Sequence, residues 1–195
     1  MRFIGFYDYT VILTYMSLVS AVGGMVFSSH KNFGAAIICL MISGVCDAFD
    51  GTVARTKKNR TDDEKSFGIQ LDSLCDVVSF GVSPAFTCYC MGTDGFLGLV
   101  IVMAFCLCAV IRLAFFNVLE TKRQQVEEGS GKSYRGLPVT SISVIFPVVY
   151  LTRFILPEGI FVAALHMMLA VVAFLFVLDF SVKKPDWKKL FTKAA

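Results

Sequence analysis

Six stretches of this chain are apolar over close to the length of helix that a lipid bilayer demands, and this limits the fold more than any other feature. Crossing about 30 Å of hydrocarbon takes about 20 mostly apolar helical residues. Such runs cover roughly residues 9–28, 33–50, 68–91, 95–118, 138–156 and 159–180, the second and fifth being the shortest. With 56% hydrophobic and only 17% charged residues in 195, the composition excludes an ordinary soluble domain. The expected fold class is an all-α integral membrane protein with six transmembrane helices, divided into a membrane domain over 1–182 and a basic tail over 183–195. Residues Met1 to Asp8 lack a basic region followed by a cleavage site, so the first run is expected to be retained.

Charge placement sets the orientation, because Lys and Arg accumulate in cytoplasmic loops. Arg55, Lys57, Lys58, Arg60 and Lys65 lie between runs two and three. Lys122, Arg123, Lys132 and Arg135 lie between runs four and five, and Lys183, Lys184, Lys188, Lys189 and Lys193 lie in the tail. The alternate loops hold only Lys31. Both termini are therefore expected in the cytoplasm, as a multi-pass protein of the cell membrane whose long loops, 55–67 and 119–137, face the cytosol. The net charge of +3 reads as a basic face against anionic lipid rather than as a nucleic-acid surface.

The seven cysteines all fall inside the apolar runs. Cys88 and Cys90, like Cys106 and Cys108, are two apart and point to different helix faces, which suits neither a zinc site nor a disulfide framework. They read as small apolar filler.

Four aspartates interrupt the apolar runs. An ionised side chain there costs about 2.5–3.5 kcal/mol on insertion scales, so each needs a partner or a role. Asp47 and Asp50 are three apart near the end of run two, and Asp72 and Asp76 are four apart near the start of run three, so each pair shares a helix face. On consecutive antiparallel helices the two pairs sit at matching depth and can converge. Four negative charges together in a low dielectric require positive charge among them. Hard oxygen donors suit Mg²⁺, Mn²⁺ or Ca²⁺, and four carboxylates suffice for two ions, which could clamp a pyrophosphate. The alternative is structural pairing of these aspartates with Arg55, Arg112 and loop lysines. Small residues at Gly51, Ala54 and Gly68 would let a substrate approach the backbone, and Arg55 can meet a phosphate with two parallel hydrogen bonds.

The pattern Asp47-x-x-Asp50-Gly51-x-x-Ala54-Arg55 followed by Gly68-x-x-x-Asp72-x-x-x-Asp76 resembles the signature of the CDP-alcohol phosphatidyltransferase family. The flanking text, Leu71 to Ala85, Arg112 to Val118 and Gly136-Leu137-Pro138, resembles the membrane-type phosphatidylserine synthases within it. The resemblance implies that Asp47, Asp50, Asp72 and Asp76 ligate metal, with Asp76 also the base that takes the acceptor's proton. It implies that Gly51, Ala54 and Arg55 contact the cytidine diphosphate of CDP-diacylglycerol. Twelve residues separate Arg55 from Gly68, four more than the family pattern, and leave Lys65 and Ser66 as alternatives for a further donor contact. Thr10 and Thr14 stand where the first helix would touch the donor.

The implied reaction is transfer of the phosphatidyl group to the hydroxyl of L-serine with release of CMP. Arg112, with Asn117, Ser83 and Arg135, is a candidate for holding serine. Ser79 and Lys132 are further candidates. Glycerol phosphate or an inositol compound as acceptor, or an ether-lipid donor, are the alternatives within the family. A cation transporter using the intramembrane aspartates, or a silent scaffold, are those outside it. The small residues Ser17, Ser20, Ala21, Gly23 and Gly24 point to close helix contact, and the resemblance implies a homodimer.

Overall fold

The computed structural model describes residues 5–7, 9–54, 56–57, 61–125 and 133–183. One 3₁₀ turn, Tyr9–Val11, leads into α1 (Ile12–Ser29), which a tight turn at Lys31 joins to the antiparallel α2 (Phe33–Ala54). The Asn32 side-chain oxygen accepts from the Ala35 amide at 3.4 Å, at the start of α2. Most of the stripe of small residues on α1 is used within the chain, while Gly23 has open space around it. Ser17, Ala21 and Gly24 are buried, Ser43 Oγ donates to the Ser17 carbonyl at 2.7 Å, and Ser20 Oγ donates to that of Cys39 at 2.9 Å. Small side chains and hydroxyls that bond across the seam are what lets two apolar helices approach without a hydrophobic driving force.

The segment read as a loop over 55–67 is helical in its second half. Thr61 caps α3 (Asp62–Asp76) through a reciprocal box: Thr61 Oγ1 accepts from the Glu64 amide at 3.2 Å and Glu64 Oε2 from the Thr61 amide at 2.9 Å. Asp62, Asp63 and Glu64 crowd the first turn, where the helix dipole favours negative charge. The rod then widens into a π segment, Val77–Val82, before resuming as α4 (Ser83–Cys90). Pro84 has no amide and its ring crowds the preceding turn, which gives the widening a local cause. Cys106 Sγ reaches the Gly81 carbonyl within this wide turn at 3.7 Å.

Helix α5 (Phe96–Gln125) runs 30 residues, about 45 Å, and so carries the start of the 119–137 loop as helix. Helix α6 (Ile142–Leu151) is flanked by 3₁₀ turns, and the whole apolar stretch Val139–Phe154 is shorter than a standard crossing, as its sequence suggested. Helix α7 (Glu158–Val177) closes the bundle. Phe80, Phe105, Phe146, Phe176, Leu165 and Leu169 form its fully buried centre.

Among the described residues four helical stretches, Tyr9–Ser29, Phe33–Ala54, Phe96–Leu119 and Glu158–Val177, are long and apolar enough to cross a membrane, which fits a multi-pass helical membrane protein. The expected all-helical architecture has one addition. Strands β1 (Ser133–Arg135) and β2 (Ser181–Lys183) pair antiparallel, Tyr134 opposite Val182. The division drawn at 182–183 lies within β2. The tail lysines from Lys184 onward fall outside the described residues. All seven cysteines are free and helical, as expected of filler.

Candidate active site

Helix periodicity places Asp47 and Asp50 on one face of α2 and Asp72 on the facing side of α3. Ligand oxygens of these three aspartates lie within 4.8 Å of one another. The carboxyl of Asp72 meets that of Asp50, and the carboxyl of Asp76 meets that of Asp47, which is the pairing an antiparallel register predicts. Asp76 stands outside the three-way group but is the most buried of the four, 7% exposed, against 9% for Asp50. Thr14 Oγ1 donates to Asp50 Oδ2 at 3.3 Å, so the first helix steadies the cluster from the side.

Among the described residues none of the four aspartates forms an ion pair. Lys65 is instead bonded to Asp62 at 3.0 Å, and Arg112 donates through Nε to the Leu137 carbonyl at 3.2 Å. The structural pairing considered for the aspartates is therefore not made by Lys65 or Arg112. Arg55 lies outside the described residues. Asp72 Oδ1 is buried without a hydrogen-bond partner. A buried orphan oxygen is costly unless something electropositive meets it. Three converging carboxylates with such an oxygen fit a hard divalent cation.

Beside the cluster lies a cleft of about 150 Å³ bordered by Thr10, Gly51, Ala54, Lys65 and Gly68, with Asp50 and Asp72 at its edge. Four of the residues expected to meet the nucleotide donor thus line one space next to the acidic group. Ser66 is exposed and does not border the cleft, so of the two α3 alternatives the structure brings only Lys65 to it.

The residues considered for serine are distributed. Ser83 is buried against α1, donating to the Ala21 carbonyl at 3.3 Å, about 10 Å along the rod from Asp76. It is a helix-packing contact, because the hydroxyl is already used across the seam. Ser79 is likewise fully buried and accepts from Ser17 Oγ at 3.4 Å. Asn117 accepts from Ser73 Oγ at 2.7 Å, tying α5 to α3 one residue after Asp72. Arg112 lies against the Gly136–Leu137 backbone. Gly136 has φ +69°, and a Cβ there would come 3.1 Å from both Arg112 Nη1 and the Leu178 carbonyl, so a side chain there is strained and crowded. Arg135 is in β1, and Lys132 lies outside the described residues. Sequence reasoning missed the Ser73–Asn117 tie, and no local signal announces it. The α3 cap was readable, since Thr61-Asp62-Asp63-Glu64 carries the spacing of a capping box.

Helices that hold converging carboxylates beside a small-residue cleft define a class: multi-pass membrane proteins with an acidic centre built between two crossing helices. The chain belongs to the CDP-alcohol phosphatidyltransferase family, which it matches over residues 9–180. It is 34% identical over 143 residues to archaetidylserine synthase of Methanothermobacter thermautotrophicus, covering 71% of this chain and 57% of that protein. It is 36% identical over 116 residues to the CDP-diacylglycerol–serine O-phosphatidyltransferase of Saccharomyces cerevisiae, covering 58% of this chain and 41% of that one. A protein of the same name from Helicobacter pylori is 30% identical over 141 residues, 71% of this chain and 55% of the relative. The chain spans about half the length of these curated relatives.

Proposed function

We propose that this protein is a phosphatidylserine synthase, which transfers the phosphatidyl group of CDP-diacylglycerol to the hydroxyl of L-serine and releases CMP. The observation that carries the proposal is the cleft whose border combines Gly51, Ala54 and Gly68 with Asp50 and Asp72. The names of the relatives support serine as acceptor.

In this reading Gly51 and Ala54 let the cytidine diphosphate lie close to the α2 backbone, and Arg55 and Lys65 bind its phosphates as donors. Asp47, Asp50, Asp72 and Asp76 would hold two ions of Mg²⁺ or Mn²⁺, with Ca²⁺ as the alternative occupant. Bound there, divalent cations would supply positive charge to the pyrophosphate and the leaving CMP. Thr14 keeps Asp50 turned toward the cleft. Asp76, buried and set against Asp47, accepts the proton of the serine hydroxyl as that oxygen attacks the lipid-side phosphorus. Asn117, placed through Ser73 beside Asp72, and Arg112 orient the amino acid. Six membrane crossings, both termini in the cytoplasm and an active site on the cytoplasmic side complete the proposal, in a homodimer with its acyl substrate in the bilayer. The basic loops support that orientation.

A second donor, the archaetidyl analogue, is favoured by the name of the Methanothermobacter relative. Incubation of purified protein with labelled serine and either CDP-diacylglycerol or CDP-archaeol, with Mn²⁺ or Mg²⁺ or with EDTA, separates the readings. Lipid-soluble label with matching CMP release is the expected result with the diacyl donor. Label only with the archaeol donor moves the donor, and transfer to glycerol phosphate or inositol in place of serine overturns the acceptor. Cation flux through reconstituted protein without nucleotide would instead support a transporter.

A further inference from the structure

A second cavity, of about 480 Å³, opens at the other end of the bundle between the α1–α2 turn, the end of α4 and the start of α7. Phe33, which starts α2, borders it, and Asp50 lies seventeen residues further along the same helix, about 25 Å away. The two spaces are thus separate.

Its lining joins two cations, Lys31 and Arg153, to one anion, Glu158, and to the apolar side chains of Phe33, Leu156 and Phe161. Arg153 lies over the Phe33 ring, 5.3 Å from its centroid, which fixes the guanidinium at the cavity wall. Among the described residues neither Lys31 nor Arg153 forms an ion pair. Lys31 has φ 59°, a left-handed conformation that glycine adopts without strain and lysine does not. The turn itself gains nothing from the lysine side chain; the cavity gains an ammonium. The first amides of the twenty-residue α7 open nearby, with no side-chain cap at Pro157.

We propose that this cavity binds the phosphodiester of a membrane glycerophospholipid. Lys31 and Arg153 meet the phosphate, and Phe33, Leu156 and Phe161 take the glycerol and first methylenes. Glu158 accepts from an ammonium or hydroxyl on the headgroup. An amphipathic lining at the end of a bundle of apolar helices suits a molecule that is itself charged at one end and apolar at the other. The site stands apart from the catalytic reading and does not depend on it.

The test measures binding of dioctanoyl phosphatidylethanolamine, dioctanoylglycerol and inorganic phosphate to purified protein by native mass spectrometry and thermal shift. The variants are Lys31→Gly, which relaxes the backbone while removing the cation, Arg153→Gln, and the two combined. The expected result is at least a tenfold weaker affinity for the phospholipid in the double variant, with dioctanoylglycerol and inorganic phosphate each bound at least tenfold more weakly than phospholipid by the unaltered protein. Unchanged far-UV circular dichroism and an unchanged size-exclusion profile confirm that the variants fold, and Lys31→Gly alone, expected to fold, must show part of the loss. Equal phospholipid binding by the double variant overturns the site. Equal stabilisation by dioctanoylglycerol overturns the phosphate, and equal affinity for inorganic phosphate overturns the lipid.

Discussion

Neutralising one carboxylate of the cluster should make the metal-free protein more stable and the metal-loaded protein less so. Three carboxylate oxygens within 4.8 Å of one another repel, when ionised, by about 3.5 kcal/mol per pair at an effective dielectric of about 20, roughly 10 kcal/mol for three pairs. Asp50→Asn removes the two pairs that involve Asp50, about 7 kcal/mol of gross repulsion by the same arithmetic. It keeps the side-chain shape, and the amide carbonyl still accepts from Thr14. Asp50 borders a cleft, so water and salt screen much of this. A surviving quarter, about 2 kcal/mol, raises Tm by roughly 4–8 °C in a chain of this size. The assay is thermal melting of purified protein in EDTA and in saturating Mn²⁺ or Mg²⁺. Without metal the variant should melt above the unaltered protein; with metal the order should reverse, because the unaltered cluster binds more tightly and gains more. A variant that melts lower in both conditions, together with an unaltered protein indifferent to Mn²⁺ and Mg²⁺, would refute the electrostatic argument.

Three further outcomes can be checked. Asp76→Asn should lower serine transfer by about 10²–10⁴-fold, the usual range for loss of a general base, with far-UV circular dichroism unchanged; transfer at the original rate removes Asp76 from that role. Gly44→Ala should destabilise by about 1–3 kcal/mol, since a Cβ there collides with the side chain of Ser143 on α6; an unchanged melting curve would mean the two helices are not seated as described. Ser73→Ala should cost about 0.5–1.5 kcal/mol by releasing Asn117, and should raise the KM for serine more than it lowers kcat if Asn117 orients the amino acid; an unchanged KM argues against that contact.

The legible part of this protein was what a single helix fixes. The bilayer sets the length of each apolar run, so long helices could be read from composition, and the three- and four-residue spacings put each aspartate pair on one face before any partner was known. The family resemblance implied Gly51 and Ala54 as donor contacts and left Lys65 and Ser66 as alternatives; Gly51, Ala54 and Lys65 border one cleft. Boundaries were less secure. The helix that begins at Asp62 was read as a charged loop because its first turns lack apolar periodicity, although the capping-box spacing of Thr61 and Glu64 marks its start.

The sequence by itself thus determined a membrane protein of apolar helices with paired acidic residues on two of them, because helical periodicity and hydrocarbon thickness act locally along the chain. Only the tertiary structure decided which polar groups meet. It committed Ser83 to α1 and Arg112 to the backbone at Leu137, joined Ser73 to Asn117, and paired β1 with β2. Such choices depend on the approach of segments 25 to 62 residues apart, where packing and the need to satisfy each buried hydrogen-bonding group select one partner among many that local spacing allows.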